Sequence, residues 1–222
     1  SLRRVIRQRR SAVAMDGKTR MSSDTFYRML DRTLAVRGRV PFSTLPWKSH
    51  IHLALLVHRV DDIPKGLYLL VRDADQTEAL QQAITQANPW QKPPGCPEQL
   101  PLYCLIESAS EAAARQISCH QDIASDGCFS LAMIAEYTEP LQRYGAWFYP
   151  RLYWEAGMIG QLLYLEAEAA GIRSTGIGCF FDDPMHEVLG LENRNYQDLY
   201  HFTVGGPVED TRLTTLPAYS DK

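Results

Sequence analysis

Apolar residues recur along this chain with two different periods, and the changes between them mark its elements. Leu2, Val5 and Ile6 fall on one side of a basic segment over residues 2–10, which predicts a short helix. Phe26, Met29, Leu30 and Leu34 repeat the helical spacing. Ser22 or Ser23 supplies an N-cap hydroxyl there, and Gly38 a stop. Two apolar runs, Ile51–Val57 and 66–71, flank the polar turn Asp61-Asp62-Ile63-Pro64 and read as strands. Residues 75–88 predict a helix, 89–101 a proline- and glycine-rich surface loop, 102–106 a short strand and 110–124 a further helix. The run 129–137 fits a strand or a helix, because periodicity alone does not separate the two.

The second half carries the most informative pattern. In residues 154–170, Ala156, Met158, Ile159, Leu162, Leu163, Leu165 and Ala167 go nearly all the way round a helix, which predicts deep burial; Gly171 ends it. Gly157 and Gly160 fall on one side, where they allow close approach of a backbone or a flat ligand. Residues 172–181 read as a glycine-broken loop, 184–189 as a helix and 199–204 as a final strand. Helices and strands mix without regular βαβ alternation and without an internal repeat. The expected class is therefore α+β, as a single domain over residues 1–222.

Composition narrows the classes. The 222 residues are 45% apolar and 22% charged, ordinary for a globular protein, and the longest apolar runs fall far short of the roughly 20 residues that span a bilayer. An Arg-rich N-terminus with no apolar stretch behind it does not read as a secretory signal. Five cysteines, odd in number and without a C-x-x-C pair, point to reduced thiols in a cytoplasmic setting. A net charge of −3 gives no general pull toward nucleic acid or anionic membrane, and neither is expected as a partner. Arg3, Arg4, Arg7, Arg9 and Arg10 nevertheless crowd the first ten residues, enough to serve a small phosphate or simply to solvate a helix face.

Few motifs carry chemistry. Arg9-Arg10-Ser11 stands where a helix gives way to a loop, and guanidinium forks with a hydroxyl suit a phosphate monoester. Ser174-Thr175-Gly176-Ile177-Gly178 follows the apolar helix, and its glycines let backbone N–H groups approach a planar heterocycle. It lacks the third glycine of a dinucleotide fingerprint. His50 and His52 share a strand face without an indicated third ligand, so no metal is expected. Nucleophile-elbow, Walker-type, zincin and paired-carboxylate patterns are missing from the sequence.

Together these pieces resemble, over most of the chain, the nitroreductase family of FMN-dependent oxidoreductases, especially its azoline (thiazoline and oxazoline) dehydrogenase branch. The resemblance is most specific from Tyr149-Pro150-Arg151 through Gly157, Gln161 and Gly171-Ile172 to Gly176-Ile177-Gly178 and Asp182-Asp183. It implies a mixed, mainly antiparallel sheet surrounded by helices, with a long buried helix at a homodimer interface or its equivalent in a tandem protein. FMN is the implied cofactor. Arg9, Arg10 and Ser11 resemble the N-terminal Arg-x-Ser signature that holds the phosphate and ribityl chain. Ser43, before Pro46-Trp47, and Gly176, Ile177 and Gly178 are similar to ring contacts, and Arg212 to a C-terminal phosphate ligand.

Arg143-Tyr144 stands where azoline dehydrogenases carry a Lys-Tyr pair, and Tyr144 and Tyr149 are the candidate proton donors. Three positions depart from the family pattern. Val13 replaces a second basic residue, Ser43 a polar amide, and Arg143 a lysine; an always-charged guanidinium is a poor general base. Two readings follow. One is an FMN-dependent oxidoreductase passing hydride between NAD(P)H or an organic substrate and an acceptor such as a nitro compound or quinone. The other is a degenerate, cofactor-poor domain serving as a structural or dimerisation partner.

Overall fold

A computed structural model describes residues 1–86, 89–214 and 216. Among them six strands form one sheet: β1 (Ile51–Val57), β2 (Gly66–Leu70), β3 (Leu102–Glu107), β4 (Phe129–Glu136), β5 (Arg173–Ile177) and β6 (Tyr196–Gly205). Their order is β3-β2-β1-β4-β6-β5, and every pairing is antiparallel. The helices are α1 (Leu2–Gln8), α2 (Ser23–Thr33), α3 (Thr77–Ala83), α4 (Glu111–Ile117), α5 (Asp122–Asp126), α6 (Thr138–Tyr144), α7 (Tyr149–Ala169) and α8 (Asp182–Leu189). The α+β class expected from the sequence is the one found.

Side-chain alternation along β1 explains its unbroken apolar run. Ile51, Leu53, Leu55 and Val57 enter one core with Phe26 and Leu30 of α2 and Ile159 and Leu163 of α7. Ala54 and Leu56 point the other way, toward Leu80 of α3, Ile117 of α4 and Met185 and Leu189 of α8. A strand covered on both faces has no solvent side to mark with polar residues. The same double cover settles 129–137 as strand β4, which is buried along its whole length.

Several boundaries depart from the sequence expectation. Residues 172–181 are not simply a loop: Arg173–Ile177 forms edge strand β5, zipped to β6 from Arg173↔Gly205 to Ile177↔His201. Such a short polar segment gains its strand character from that distant partner, which local pattern does not reveal. The helix expected over 110–124 breaks into α4 and α5, because Cys119 and His120 both take positive φ, at 54° and 59°. The helix expected over 75–88 is only Thr77–Ala83, preceded by a 3-10 turn, and its expected end at Asn88 lies outside the described residues. Helix α2 stops at Thr33, well before Gly38, with Ser22 as the capping residue.

Helix α7 begins at Tyr149, five residues before its apolar pattern, with Pro150 in the first turn, where a missing N–H costs nothing. It is not buried all round. Leu152, Ala156, Ile159, Gly160, Leu163 and Ala167 face the core, whereas Trp154 is 52% exposed. Gly160 lies against the Phe202 ring, and Gly157 faces open space, so the two glycines do not act together.

Just beyond β1, His58 sits between the hydroxyl of Ser110, 3.1 Å from Nδ1, and the carbonyl of Ala124, 3.2 Å from Nε2. Burial outweighs these contacts and holds its pKa at about 4, below the ordinary 6.5. The unfolded chain therefore binds a proton that the folded chain refuses between those two values. Stability falls as the pH drops through that window, by up to about 3 kcal/mol. Denaturant titrations at a series of pH values are expected to show this decline starting near pH 6.5 and flattening in His58→Gln. An unchanged profile in the variant would assign the decline elsewhere.

Candidate active site

The N-terminal arm meets the sheet at its β5 edge. Ser11 bridges to Ser174 in parallel, and the Ala12 N–H donates to the Ser174 carbonyl at 3.0 Å. Tyr164, on α7, locks this junction. Its hydroxyl accepts the Gly176 N–H at 3.0 Å and lies 2.9 Å from Ser11 Oγ, and the Arg9 guanidinium sits 4.6 Å above its ring centroid. Arg9, Ser11 and Gly176 are thus brought together by a residue that sequence reasoning did not single out. Arg9 has no acidic partner among the described residues, so its guanidinium donors face no competing carboxylate. The Ser174 Oγ is buried without a partner among the described residues.

The remaining expected site residues are dispersed. Arg10 donates to the carbonyls of Arg7 and Arg9, closing the end of α1. Arg212 forms a two-pronged pair with Asp210, at 2.9 and 2.7 Å. Ile177 turns its side chain into the core, so only its backbone remains for a ligand. At Gly176 an added Cβ would lie 2.4 Å from the Tyr200 hydroxyl; packing already requires glycine there. Val13 is 59% exposed and offers no charge to the arm. Tyr144 packs on Phe148, with ring centroids 4.7 Å apart and the Arg143 guanidinium 5.2 Å from its own ring.

Ser43 lies in a 3-10 turn lining a cavity of about 390 Å³ with Phe42, Trp47, Lys48, Arg72 and Glu155. Behind it runs a buried polar network. The Arg72 guanidinium, fully buried, pairs with Glu155 and donates to the carbonyls of Thr33 and Ile51, both at 2.7 Å. Glu155 also accepts the Ser49 hydroxyl and the His50 N–H, the latter at 2.9 Å. His50 and His52 flank one carboxylate, with Nδ1 of His50 at 3.1 Å and Nε2 of His52 at 3.5 Å from Glu136. The Arg72 N–H donates to His52 Nδ1, which leaves the His52 proton on Nε2, facing Glu136. Burial pushes Glu136 up, yet the two imidazoles outweigh it and hold its pKa at about 2.

A second cavity, of about 430 Å³, is lined by Gly178, Tyr137, Tyr149, Tyr153, Asp182, Asp183, His186, Arg194 and Asp198. The Tyr149 and Tyr153 hydroxyls are 3.0 Å apart, and burial together with Tyr149 keeps Tyr153 protonated well above its usual range. Asp198 pairs with His201 Nε2 at 2.6 Å, and His201 Nδ1 lies 3.1 Å from the Ser118 hydroxyl. Burial raises the Asp198 carboxyl, against the opposing pull of His201. Tyr149 and Gly178 therefore share a cavity, while Tyr144 and Ser43 lie in other surroundings. The signals for the missed residues were faint: Glu155 and Tyr164 stand in α7 among other glutamates and tyrosines, with nothing local to set them apart.

Solved structures define the fold class. A candidate nitroreductase from Anabaena variabilis superposes with a TM-score of 0.70 at 22% identity over 93% of this chain, which spans 38% of that longer chain. The E. coli microcin synthetase McbBCD complex, solved with truncated pro-MccB17, gives 0.63 at 18% identity, covering 92% of this chain and 71% of the other. The NADPH:FMN oxidoreductase of Vibrio harveyi, solved with NAD+, gives 0.55 at 14% identity, covering 98% and 74%. The fold is thus that of the nitroreductases. The chain belongs to the Nitroreductase family, whose model matches residues 6–206. No curated protein matches it significantly in sequence. Family membership supports an oxidoreductase of nitroreductase type.

Proposed function

We propose that this chain is an FMN-dependent oxidoreductase acting on small molecules in the cytoplasm, as a homodimer or as half of a tandem pseudo-dimer. The observation that carries the reading is the Tyr164 junction, which sets Arg9, with no acidic partner among the described residues, the Ser11 hydroxyl and the Gly176 N–H of β5 side by side. The donor set, a guanidinium fork beside a hydroxyl, fits a phosphate monoester. The chemistry supplied by FMN is transfer of hydride from NAD(P)H or an organic substrate and of electrons to an acceptor such as a nitro compound or quinone.

Within this reading Arg9, Arg10, Ser11 and Arg212 bind the phosphate, and Arg10 and Arg212 exchange their internal partners for it. Gly176, Ile177 and Gly178 offer backbone to the ring, and Ser43 a hydroxyl. Tyr149, held by Tyr153, and Tyr144 are the candidate proton donors of this reading. The exposed side of α7, with Trp154 and Tyr153, awaits a second copy or half. Among the described residues no helix is long and apolar enough to cross a membrane.

One observation favours the second reading, a cofactor-poor structural domain: Ser11, Gly176 and Arg212 all have internal partners already. Visible absorbance of the purified protein followed by FMN titration separates the two. Saturable binding supports the enzyme; a colourless protein indifferent to millimolar FMN leaves the structural domain. Tyr164→Phe is expected to weaken FMN about fivefold, the worth of one lost hydrogen bond in orienting the arm. Equal affinity would show that the junction does not organise the site.

A further inference from the structure

The tyrosine-lined cavity beside Gly178 contains a group without a counterpart. Asp198 is 3% exposed; its Oδ2 is taken by His201, while its Oδ1 is buried without a hydrogen-bond partner among the described residues. A buried carboxylate oxygen without a donor is costly, and a ligand donor arriving there recovers that cost. We propose that this cavity binds an organic cation, a protonated amine with a small apolar body, its ammonium on Asp198 Oδ1 and its body among Tyr137, Tyr149 and Tyr153.

Charge, shape and chemistry agree with that occupant. Asp182, Asp183 and Asp198 face the cavity against one cation, Arg194. His186 is engaged from within the fold, its Nε2 accepting the Asp198 N–H at 3.3 Å. Asp182 is partly engaged by the Gln197 amide at 3.0 Å, which leaves Asp198 as the anchor and Asp183 as an outer charge. Tyr137 and Tyr149 meet edge to face, as do Tyr149 and Tyr153, so three aromatic rings pack together along the lining of the cavity, a surface suited to a cation or an apolar body. The volume, about 430 Å³, suits a single-ring amine. An anion, by contrast, would meet three carboxylates.

The inference deepens the flavin reading and rests on it only for its meaning, since Gly178 ends the segment assigned to the ring. The amine would then be the organic substrate, or the charged end of one. Binding itself is tested without flavin. Calorimetric titration of the purified full chain with benzylamine, protonated at pH 7, is compared with neutral benzyl alcohol. FMN affinity is measured separately on the same preparation, so a failure of the flavin reading is seen on its own.

The amine is expected to saturate and the alcohol to bind at least about tenfold more weakly, the value of one ion-paired hydrogen bond. Asp198→Asn is expected to remove that preference. Where Asp198→Asn does not fold, Asp183→Asn, at an exposed position in the first turn of α8, is expected to weaken the amine about threefold. Equal binding of amine and alcohol, no saturable binding of the amine, or unchanged affinity in a folded variant overturns the proposal.

Discussion

Glu155→Ala is expected to destabilise the protein by about 3–5 kcal/mol, a large part of the margin of an ordinary domain. The substitution removes little packing; its effect comes from what remains. Arg72 is fully buried and cannot shed its charge, because a guanidinium does not deprotonate in proteins even where burial lowers its pKa. Without Glu155 its charge would rest on the neutral Ser49 hydroxyl and two carbonyls. The His50 N–H would lose its acceptor as well. For a chain of this length the loss corresponds to a fall of about 6–20 °C in Tm. Arg72→Met combined with Glu155→Leu is expected to recover most of it, because the cost lies in an unpaired charge and not in absent attraction. Thermal melts of the three proteins decide the matter; a single variant as stable as the parent would mean that water reaches Arg72.

Arg9→Ala is expected to weaken FMN about 10- to 150-fold, the range of charge-assisted hydrogen bonds worth about 1.5–3 kcal/mol. Riboflavin, which has the same ring and no phosphate, separates this from a general loosening of the arm. Its affinity should be almost unchanged if Arg9 acts on the phosphate. It should fall as far as that of FMN if Arg9 acts only by resting on the Tyr164 ring. Arg9→Lys should keep part of the FMN affinity, since a point charge survives while the fork does not. Equal affinity of wild type and Arg9→Ala for FMN would remove the arm from the site.

The family pattern was legible because parts of it are local. Arg9-Arg10-Ser11, Pro46-Trp47, Tyr149-Pro150-Arg151 and Gly176-Ile177-Gly178 stand in the sequence itself, and the family match over residues 6–206 agrees with the resemblance they carry. Strands β1 and β4 were legible as apolar runs, though the second only as a choice between strand and helix. The α2 cap was legible because an N-cap works through a hydroxyl three residues from its partner: Ser22 Oγ receives the Thr25 N–H at 3.3 Å.

What the sequence by itself determined is the class of the protein and the residue types available to its site: helical and strand periods, their capping, and the short motifs where neighbours in sequence act as neighbours in space. Tertiary structure decided the rest. Strand β5 exists through its ladder with β6, and the break between α4 and α5 falls beside Ser118, whose hydroxyl meets the distant His201. Tyr164 gains its role from Ser11 and Gly176, which lie 153 and 12 residues away in sequence. The partners Arg72 and Glu155 are separated by 83 residues, and Asp198 and Tyr149 share a cavity only because β6 and α7 pack together. The physical reason is common to all of these. Hydrogen bonds, ion pairs and desolvation act over a few ångströms of space, whereas sequence pattern records only the spacing along the chain.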